Sequence, residues 1–370
     1  MPKLDSFSKL IIVYILWLAS WMLGATLFEV YFYSLGMTPQ EIYLANSLWF
    51  VASLVAIPLF RGFSSRKFML AGMAIAASCM FLLFLVPDEP ASYAFRLVIG
   101  LTHLFFWMPF NVLFYEYSRE NNAQLGVLYY SLGPALSLVL PTVAGLIAGS
   151  AGYAELYLLS GALFIVTMIA GAFFIEDKKY EYDVIQSVRS ISGLKSILFL
   201  EGFSAMVIVS ITLEVMLLGF ITTPLEYGGF LSLGMVFSVI AALAAARLSD
   251  EAKERRRFLL PLVAAFALSA ILASVAADIF TFFLAFGLIS FFSRMFFPLP
   301  LALAVDNSKY LPDVMVGREI MLNAGRFAGA LAGYAVFVLF DIRAVLLFQG
   351  LLLFLYLPIF ENRRKKLQRH

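Results

Sequence analysis

The 370-residue chain is 62% hydrophobic and 14% charged, with a formal net charge of +2. Soluble domains carry about 25% charged residues, so this composition excludes a soluble globular protein and predicts a chain that crosses a membrane many times. The small net charge says nothing about nucleic acid, because the charges are sorted by position and not massed in a patch, and we expect no nucleic-acid partner. The single cysteine, Cys79, excludes a disulfide framework and a cysteine-based metal site.

Apolar runs long enough to cross a hydrocarbon layer of about 30 Å predict an all-α polytopic membrane protein with twelve transmembrane helices. The first run lacks a small-residue cleavage site after it, so we expect it to be retained as a span and not removed as a signal peptide. The predicted spans, in chain order, are 9–35, 43–60, 68–86, 93–116, 127–149, 153–175, 196–221, 229–246, 259–277, 279–305, 315–339 and 343–360.

Lysine and arginine are sorted between the two sets of connections. One set, with both termini, holds 22 of the 26 basic residues, including Arg318, whereas the other loops hold only Arg343. The positive-inside rule therefore predicts that both termini lie in the cytoplasm. The longest polar stretch, 176–195, reads as a solvated cytoplasmic linker between two six-helix bundles, 1–175 and 196–370. We expect a monomer in the cytoplasmic membrane, surrounded by lipid and without a cofactor.

The chain contains an internal repeat. Ten of the 28 residues at 29–56 are identical to the residues 185 positions later, and this offset is half the chain length. The repeat predicts two related halves, in which the Thr-Pro-X-Glu segments at 38–41 and 223–226 form matching outer loops. It also places one carboxylate inside an apolar span of each half, Glu29 and Glu214.

A charged carboxylate inside a membrane costs roughly 2.5–3.5 kcal/mol, and residues of this kind are commonly functional. Glu29 and Glu214 are therefore candidates for proton coupling or cation binding. The structural alternative is that each is bonded to an arginine or tyrosine near the outer mouth. His103, the histidine within a predicted span, is a third candidate for proton transfer, although a histidine bonded to a neighbouring helix is an equal alternative.

Three arginines that are not counted among the connections also fall inside predicted spans. Arg294 and Arg326 lie near the middle of spans 10 and 11, where a permanent positive charge needs an anionic partner or water. They are candidates for binding an anionic group of a substrate, or for a permanent pair with Glu214. Arg96 lies close to the end of span 4, and we expect it to snorkel to the outer interface; pairing with Glu29 or substrate binding is the alternative.

The loop between spans 8 and 9 reads Ala246-Arg247-Leu248-Ser249-Asp250 and is followed by Arg255, Arg256 and Arg257. With the twelve spans and the central linker, this motif resembles the loop signature of the major facilitator superfamily. The matching loop between spans 2 and 3 keeps the basic end at Arg66 and Lys67 but lacks the aspartate. The resemblance covers essentially the whole chain.

The resemblance implies that spans 1, 4, 7 and 10 line a central cavity and that the two halves rock to open it to each side in turn. It also implies a conformational latch at the cytoplasmic face. We expect Glu116 and Asp306 at that edge to form salt bridges with loop arginines, and Glu201 to behave similarly. The candidate latch residues are Arg66, Glu116, Asp250, Arg255, Arg256 and Asp306.

Two further patterns concern packing. Gly325, Gly329 and Gly333 recur every four residues and predict that span 11 packs closely on a neighbour. Trp17, Trp21, Trp49 and Trp107 could stack on a ligand, but aromatic residues in transmembrane helices mostly pack or belt the interface.

The sequence has no HExxH, GxSxG or P-loop motif, which argues against hydrolysis and ATP-driven transport. The leading hypothesis is a secondary transporter of a small organic solute, with an anionic solute suited to the arginines and protons as the coupling ion. A lipid or lysolipid transporter on the same scaffold is the first alternative. A non-transporting assembly or sensor protein, with all internal charges paired, is the second.

Overall fold

The computed structural model describes residues 5–117, 131–251, 255–306, 308 and 310–359, and of 245–251, 255–259 and 306 it describes the backbone alone. Eleven helices in these ranges are long and apolar enough to cross a membrane, and a further apolar stretch, Leu260–Ser274, is shorter than a span. In chain order they lie where the spans were predicted. The helices are α1 Ser6–Ser34, α2 Pro39–Leu59, α3 Ser65–Leu85, α4 Glu89–Tyr117, α5 Ser131–Ser150, α6 Tyr153–Phe174, α7 Lys195–Leu217, α8 Pro224–Glu251, α9 Arg255–Ser274, α10 Ile279–Val305, α11 Leu311–Leu339 and α12 Ile342–Ile359.

Several helices are interrupted, among them the four that were expected to line a cavity. Helix α1 breaks after Ala25 and resumes at Phe28, and α10 breaks before Pro298, whose ring and missing N–H prevent a regular turn. Helix α4 contains the π-helical segment His103–Trp107, and α7 contains Glu201–Met206 and Ile208–Thr212. Of the candidate residues, His103 and Glu201 lie in these π-helical turns, which are frequent at functional sites.

Glycines bring α11 into close contact with α7, as the four-residue spacing predicted. A Cβ at Gly325 would collide with the carbonyl oxygen of Phe199, and one at Gly329 would collide with that of Phe203. Small residues of this kind allow helix backbones in a membrane to approach each other. The prediction of close packing by span 11 is confirmed.

One end of the helices is organised by the polar segment between α6 and α7. Strand β1, Gly62–Ser64, pairs antiparallel with β2, Lys179–Glu181, and the short helix Val184–Ser190 packs on α11. The Ser6 hydroxyl at the start of α1 donates to Glu176. The segment predicted as a solvated linker thus holds a strand and a helix, and its end of the molecule, called here the basic side, also carries Arg61, Arg66 and Lys178.

On the side opposite the basic side, the first six helices contact the last six directly. Helix α5 meets α8 where a Cβ at Gly228 would collide with the Pro141 carbonyl oxygen, and the Thr142 N–H donates to Ser232 at 3.1 Å. Helix α2 meets α11 at Tyr43, whose hydroxyl lies against Gly333. These contacts join the first six helices to the last six on the side opposite the basic side.

The repeat predicted from the sequence has a structural counterpart at the starts of α2 and α8. Thr38 and Glu41 form a capping box in which the Thr38 hydroxyl donates to the glutamate at 2.7 Å. The Thr223 hydroxyl donates to Glu226 at 2.6 Å. The Thr-Pro-X-Glu segments therefore begin both helices in the same way, and all four of these residues serve the helix starts.

Candidate functional site

A buried cluster joins α1, α2, α4 and α7 near the side opposite the basic side. Arg96 Nη2 lies 2.6 Å from Glu29 Oε1, and the two side chains are 3% and 1% exposed. Asn46 donates to the same carboxylate oxygen at 3.1 Å. The half-buried carboxyl group of Glu214 interacts electrostatically with Glu29 and with Arg96. The two glutamates of the repeat thus meet in one place, called here the carboxyl cluster (Glu29, Glu214, Arg96 and Asn46).

Aromatic rings surround the guanidinium of Arg96. Its Cζ lies 4.8 Å from the ring centre of Phe28, 5.3 Å from that of Phe32 and 5.6 Å from that of Trp49. Ring faces and a carboxylate replace water around the cation, which makes its burial tolerable. The prediction that Arg96 snorkels to the interface is therefore wrong, and pairing with Glu29 is what the structure shows.

The charges of the carboxyl cluster balance only when it holds a proton. Two carboxylates and one guanidinium carry a net charge of −1, whereas burial in a low-dielectric interior favours neutrality. This charge balance makes Glu29 and Glu214 candidates for binding a single proton.

His103, the third residue predicted to transfer protons, lies about two turns after Arg96 on α4. Its ring begins the π-helical segment of α4, with Nδ1 3.2 Å from the Gly100 carbonyl oxygen. The ring centre is 5.4 Å from that of Trp49, and the imidazole interacts electrostatically with Arg326. The structure thus groups His103 with a substrate-site candidate of α11.

The two mid-span arginines of α10 and α11 face residues of the first helices. Arg326 is 9% exposed, donates from Nη1 to Asn323 Oδ1 at 3.0 Å, and has its Cζ 5.7 Å from the ring centre of Phe50 on α2. Arg294 interacts electrostatically with Tyr14 on α1. The side-chain N–H groups of Asn323 have no hydrogen-bond partner among the described residues. Arg326 also interacts electrostatically with the carboxyl groups of Glu319 and Glu201. The N–H groups of Asn323 beside the cation are donors of the kind that bind an anionic group.

Glu201 belongs to a second buried group of charges, on α7 and α11. Its side chain is fully buried, and its closest cation is Arg318, with Nη2 3.9 Å from Oε1. Arg318 also pairs with Glu319 at 2.9 Å. The predictions that Glu201 lies at an edge with loop arginines, and that Arg318 belongs to a loop, are both wrong. Helix α11 begins at Leu311, so Arg318 lies about two turns inside it and is buried.

All four tryptophans of the chain lie together on α1, α2 and α4. Trp17 and Trp21 stack with ring centres 6.2 Å apart, Trp21 and Trp49 stack at 5.6 Å, and Trp107 meets Trp17 edge-on at 6.3 Å. These four residues are called here the tryptophan wall. The wall adjoins the surroundings of both mid-span arginines, called here the arginine sites. Trp49 lies beside His103, which interacts with Arg326, and Trp107 lies 6.1 Å from Tyr14, which interacts with Arg294.

The latch predicted at the basic side has a different partner from the one expected. Glu116 accepts hydrogen bonds from Lys178 at 2.8 Å and from the Tyr180 hydroxyl, and Arg66 lies 3.9 Å from Asp177. Both latch candidates therefore contact the polar segment after α6. Glu116 pairs with a lysine and not with the expected loop arginine. The other four candidates have side chains outside the described part of the chain: Asp250, Arg255, Arg256 and Asp306.

The polar segment holds its ion pairs near water. Glu176 accepts hydrogen bonds from the hydroxyls of Ser6 and Tyr117 and lies 3.7 Å from Lys178 Nζ. These hydrogen bonds, chiefly that from Ser6, hold the pKa of Glu176 below its usual value of 4.5. Glu176 therefore stays ionised at neutral pH and fixes the start of α1 to the end of α6.

We expect the Glu116–Lys178 pair to contribute little to stability. Both side chains are about one-third exposed, at 36% and 32%, so solvent screens their attraction. A double-mutant cycle with Glu116→Gln and Lys178→Ala should give a coupling free energy of about 0.2–1 kcal/mol by chemical unfolding, falling in high salt. Lys179→Ala, at the exposed neighbour, is the control, and a coupling well above this range would show a stronger latch.

Comparisons with known proteins agree with this architecture. A family model described as Major Facilitator Superfamily matches residues 10–197 and again 194–369. No curated protein matches the amino-acid sequence. Among solved structures, a nucleoside transporter, NupG, is 14% identical with a TM-score of 0.64, over 96% of this chain and 99% of that one.

Two further solved structures have the same fold. The human organic anion transporter MFSD10 (TETRAN) is 14% identical with a TM-score of 0.66, over 96% of this chain and 98% of that one. A POT family transporter in complex with a thioalcohol-conjugated peptide is 13% identical with a TM-score of 0.73, over 97% of this chain and 96% of that one. At these identities the likeness is one of fold.

Proposed function

Since the chain belongs to the Major Facilitator Superfamily, we propose that it is a secondary transporter that moves a small organic anion across the cytoplasmic membrane in exchange or symport with protons. In this proposal residues 1–175 and 196–370 form two six-helix bundles joined by a cytoplasmic linker, and both termini are cytoplasmic. The two matches of the family model, at 10–197 and 194–369, support the division into halves.

The carboxyl cluster carries the proton-coupling part of the proposal. Glu29 and Glu214 come from α1 and α7, which belong to different halves, and together with Arg96 they balance their charge by binding one proton. When the halves separate on this side, each carboxyl group meets water and the shared proton can leave. Proton release is thereby tied to the movement that opens the side opposite the basic side.

The substrate part of the proposal rests on Arg294 and Arg326. Both face the first half from the second, near Tyr14 and Phe50 respectively. A carboxylate or phosphate bound there would be held between the halves, and the unpartnered N–H groups of Asn323 would donate to it. Arg96 is assigned to the carboxyl cluster and His103 to the surroundings of Arg326.

The contacts between the halves support alternating access in place of lateral entry of a lipid. Helix α5 touches α8 near Gly228, and α2 touches α11 near Gly333, without room for an acyl chain at these points. A lipid pathway would need an apolar opening between one of these pairs. The close packing therefore favours a soluble organic substrate.

Two steps test the proposal. A thermal-shift screen over organic anions, sugars, nucleosides and lysolipids identifies compounds that stabilise the purified protein. Uptake of the best compound into proteoliposomes is then measured with and without an imposed pH gradient. We expect Glu29→Gln and Glu214→Gln to reduce gradient-driven uptake at least tenfold. Gradient-independent exchange should persist, since glutamine resembles the protonated glutamate.

The repeat supplies matched controls for this experiment. Glu41→Gln and Glu226→Gln alter the other glutamate pair at the offset of 185, on the same side of the molecule, and serve the starts of α2 and α8. They should leave coupled uptake near the wild-type rate. Gradient-driven uptake that survives in both Glu29→Gln and Glu214→Gln would remove proton coupling from the proposal, and stabilisation by lysolipids alone would favour the lipid alternative.

A further inference from the structure

We propose that the transported anion carries a planar aromatic group, which stacks on the tryptophan wall while its charged group is held by Arg326 or Arg294. This inference rests on the proposed function, because it names the substrate class of the same site. The observation that carries it is the concentration of every tryptophan in the chain on one interior surface, between the two arginine sites.

The depth of the tryptophan wall argues against an interfacial role. Trp17 lies eleven residues into α1, about 17 Å from its start, and so near the middle of a membrane. Tryptophans that anchor a protein lie at the two interfaces, where the ring is apolar and the N–H is wet. Trp17 is completely buried, and its N–H has no hydrogen-bond partner among the described residues.

The tryptophan wall also departs from ordinary core packing. The N–H of Trp49 is buried without a partner in the described part of the chain, which is a cost that an aliphatic residue would not bring. Trp21, Trp49 and Trp107 are only partly buried, although Trp17 behind them is fully covered. The three partly covered rings leave aromatic surface uncovered for a stacking ligand.

Both arginine sites adjoin the tryptophan wall. On one side Trp49 is 5.4 Å from His103, which interacts with Arg326, and on the other Trp107 is 6.1 Å from Tyr14, which interacts with Arg294. A rigid aromatic anion can thus stack on an indole and place its charge against a guanidinium at once. A saturated anion of the same size gains the charge contact but not the stacking, for a difference of about tenfold in Kd.

Equilibrium binding to the purified full-length protein tests the proposal. The probes are benzoate and 2-naphthoate, their saturated counterparts cyclohexanecarboxylate and decahydro-2-naphthoate, and the neutral benzyl alcohol and 2-naphthylmethanol. Calorimetry gives each Kd, and quenching of intrinsic fluorescence reports on the tryptophan wall directly, because the chain has no other tryptophan. We expect an aromatic carboxylate to bind about tenfold more tightly than its saturated counterpart and to quench the fluorescence.

Variants separate stacking from general stability. Trp107→Leu should remove most of the preference for the aromatic anion, Trp107→Phe should keep part of it, and Phe340→Leu at an exposed position 74% open to the surroundings should change nothing. If Trp107→Leu does not fold, the Trp107→Phe variant and the comparison of wild-type Kd values still decide whether the aromatic anion stacks on the tryptophan wall.

The outcomes distinguish this inference from the function on which it rests. Equal binding of aromatic and saturated anions overturns the stacking proposal and leaves transport of an organic anion standing. Equal binding of 2-naphthoate and 2-naphthylmethanol supports the tryptophan wall and contradicts the anionic part of the proposed function. Failure of every aromatic probe to bind overturns the stacking proposal.

Discussion

Replacing Arg96 by alanine is expected to destabilise the protein by about 3–5 kcal/mol, because it leaves the buried carboxyl group of Glu29 without its cation. The pair is almost completely buried, so solvent cannot compensate for the loss, and four aromatic rings close around the space that the guanidinium leaves. Unfolding of the purified protein in detergent, followed by tryptophan fluorescence, measures the effect as a large drop in the midpoint of the transition.

Two further variants make this prediction specific. Arg343→Ala removes an exposed arginine from the first turn of α12 and should leave the midpoint within experimental error. Combining Arg96→Leu with Glu29→Leu should recover much of the stability lost in Arg96→Leu alone, because apolar residues can replace a buried pair at little cost. A double variant as unstable as the single one would show that Arg96 acts mainly through its contacts with the aromatic rings.

The error over Arg96 shows what the sequence can and cannot provide. Arg96 lies close to the end of predicted span 4, and an arginine in that position usually snorkels to the interface. This expectation uses only the local position of the residue along the chain. The pairing with Glu29 depends on how α1 packs against α4, which hydropathy does not encode. The offset-185 repeat did identify Glu29 and Glu214 as equivalents, but equivalence in sequence does not reveal that the two side chains meet.

The fold was more predictable than the site for a physical reason. Each span is set by its own hydropathy, since a helix in lipid must satisfy its backbone hydrogen bonds alone, and the predicted spans fall on the observed helices. Contacts between helices depend on register and rotation, so the group of Glu201, Arg318 and Glu319 was missed. The sequence did contain one indication of this buried group of charges: three ionisable residues fall within the nine positions 318–326 of α11.

Replacing Gly228 by leucine is expected to shift the protein towards forms that are open on the side opposite the basic side. A Cβ at Gly228 would collide with the carbonyl oxygen of Pro141, which is backbone and cannot swing away, so α5 and α8 must separate. Overpacking of this kind costs about 1–3 kcal/mol, which changes the ratio of closed to open forms roughly 5- to 150-fold. If the protein transports by the proposed alternating access, the same change should reduce the transport rate, since the open side would have to close in every cycle.

The adjacent residue gives a matched control for the same helix. A Cβ at Gly229 meets no atom within 4 Å. Gly229→Leu therefore changes helix propensity and side-chain size as much as Gly228→Leu does, without forcing α5 and α8 apart. Ser232→Cys, at a position 5% exposed in this contact, reports opening through its rate of reaction with a membrane-impermeant maleimide, and the native Cys79 is buried and adds little background. Labelling should accelerate at least fivefold with Gly228→Leu and not with Gly229→Leu. If Gly228→Leu instead lowers the unfolding midpoint while labelling of the folded protein stays slow, the α5–α8 contact is a permanent joint, and the proposed opening must occur elsewhere.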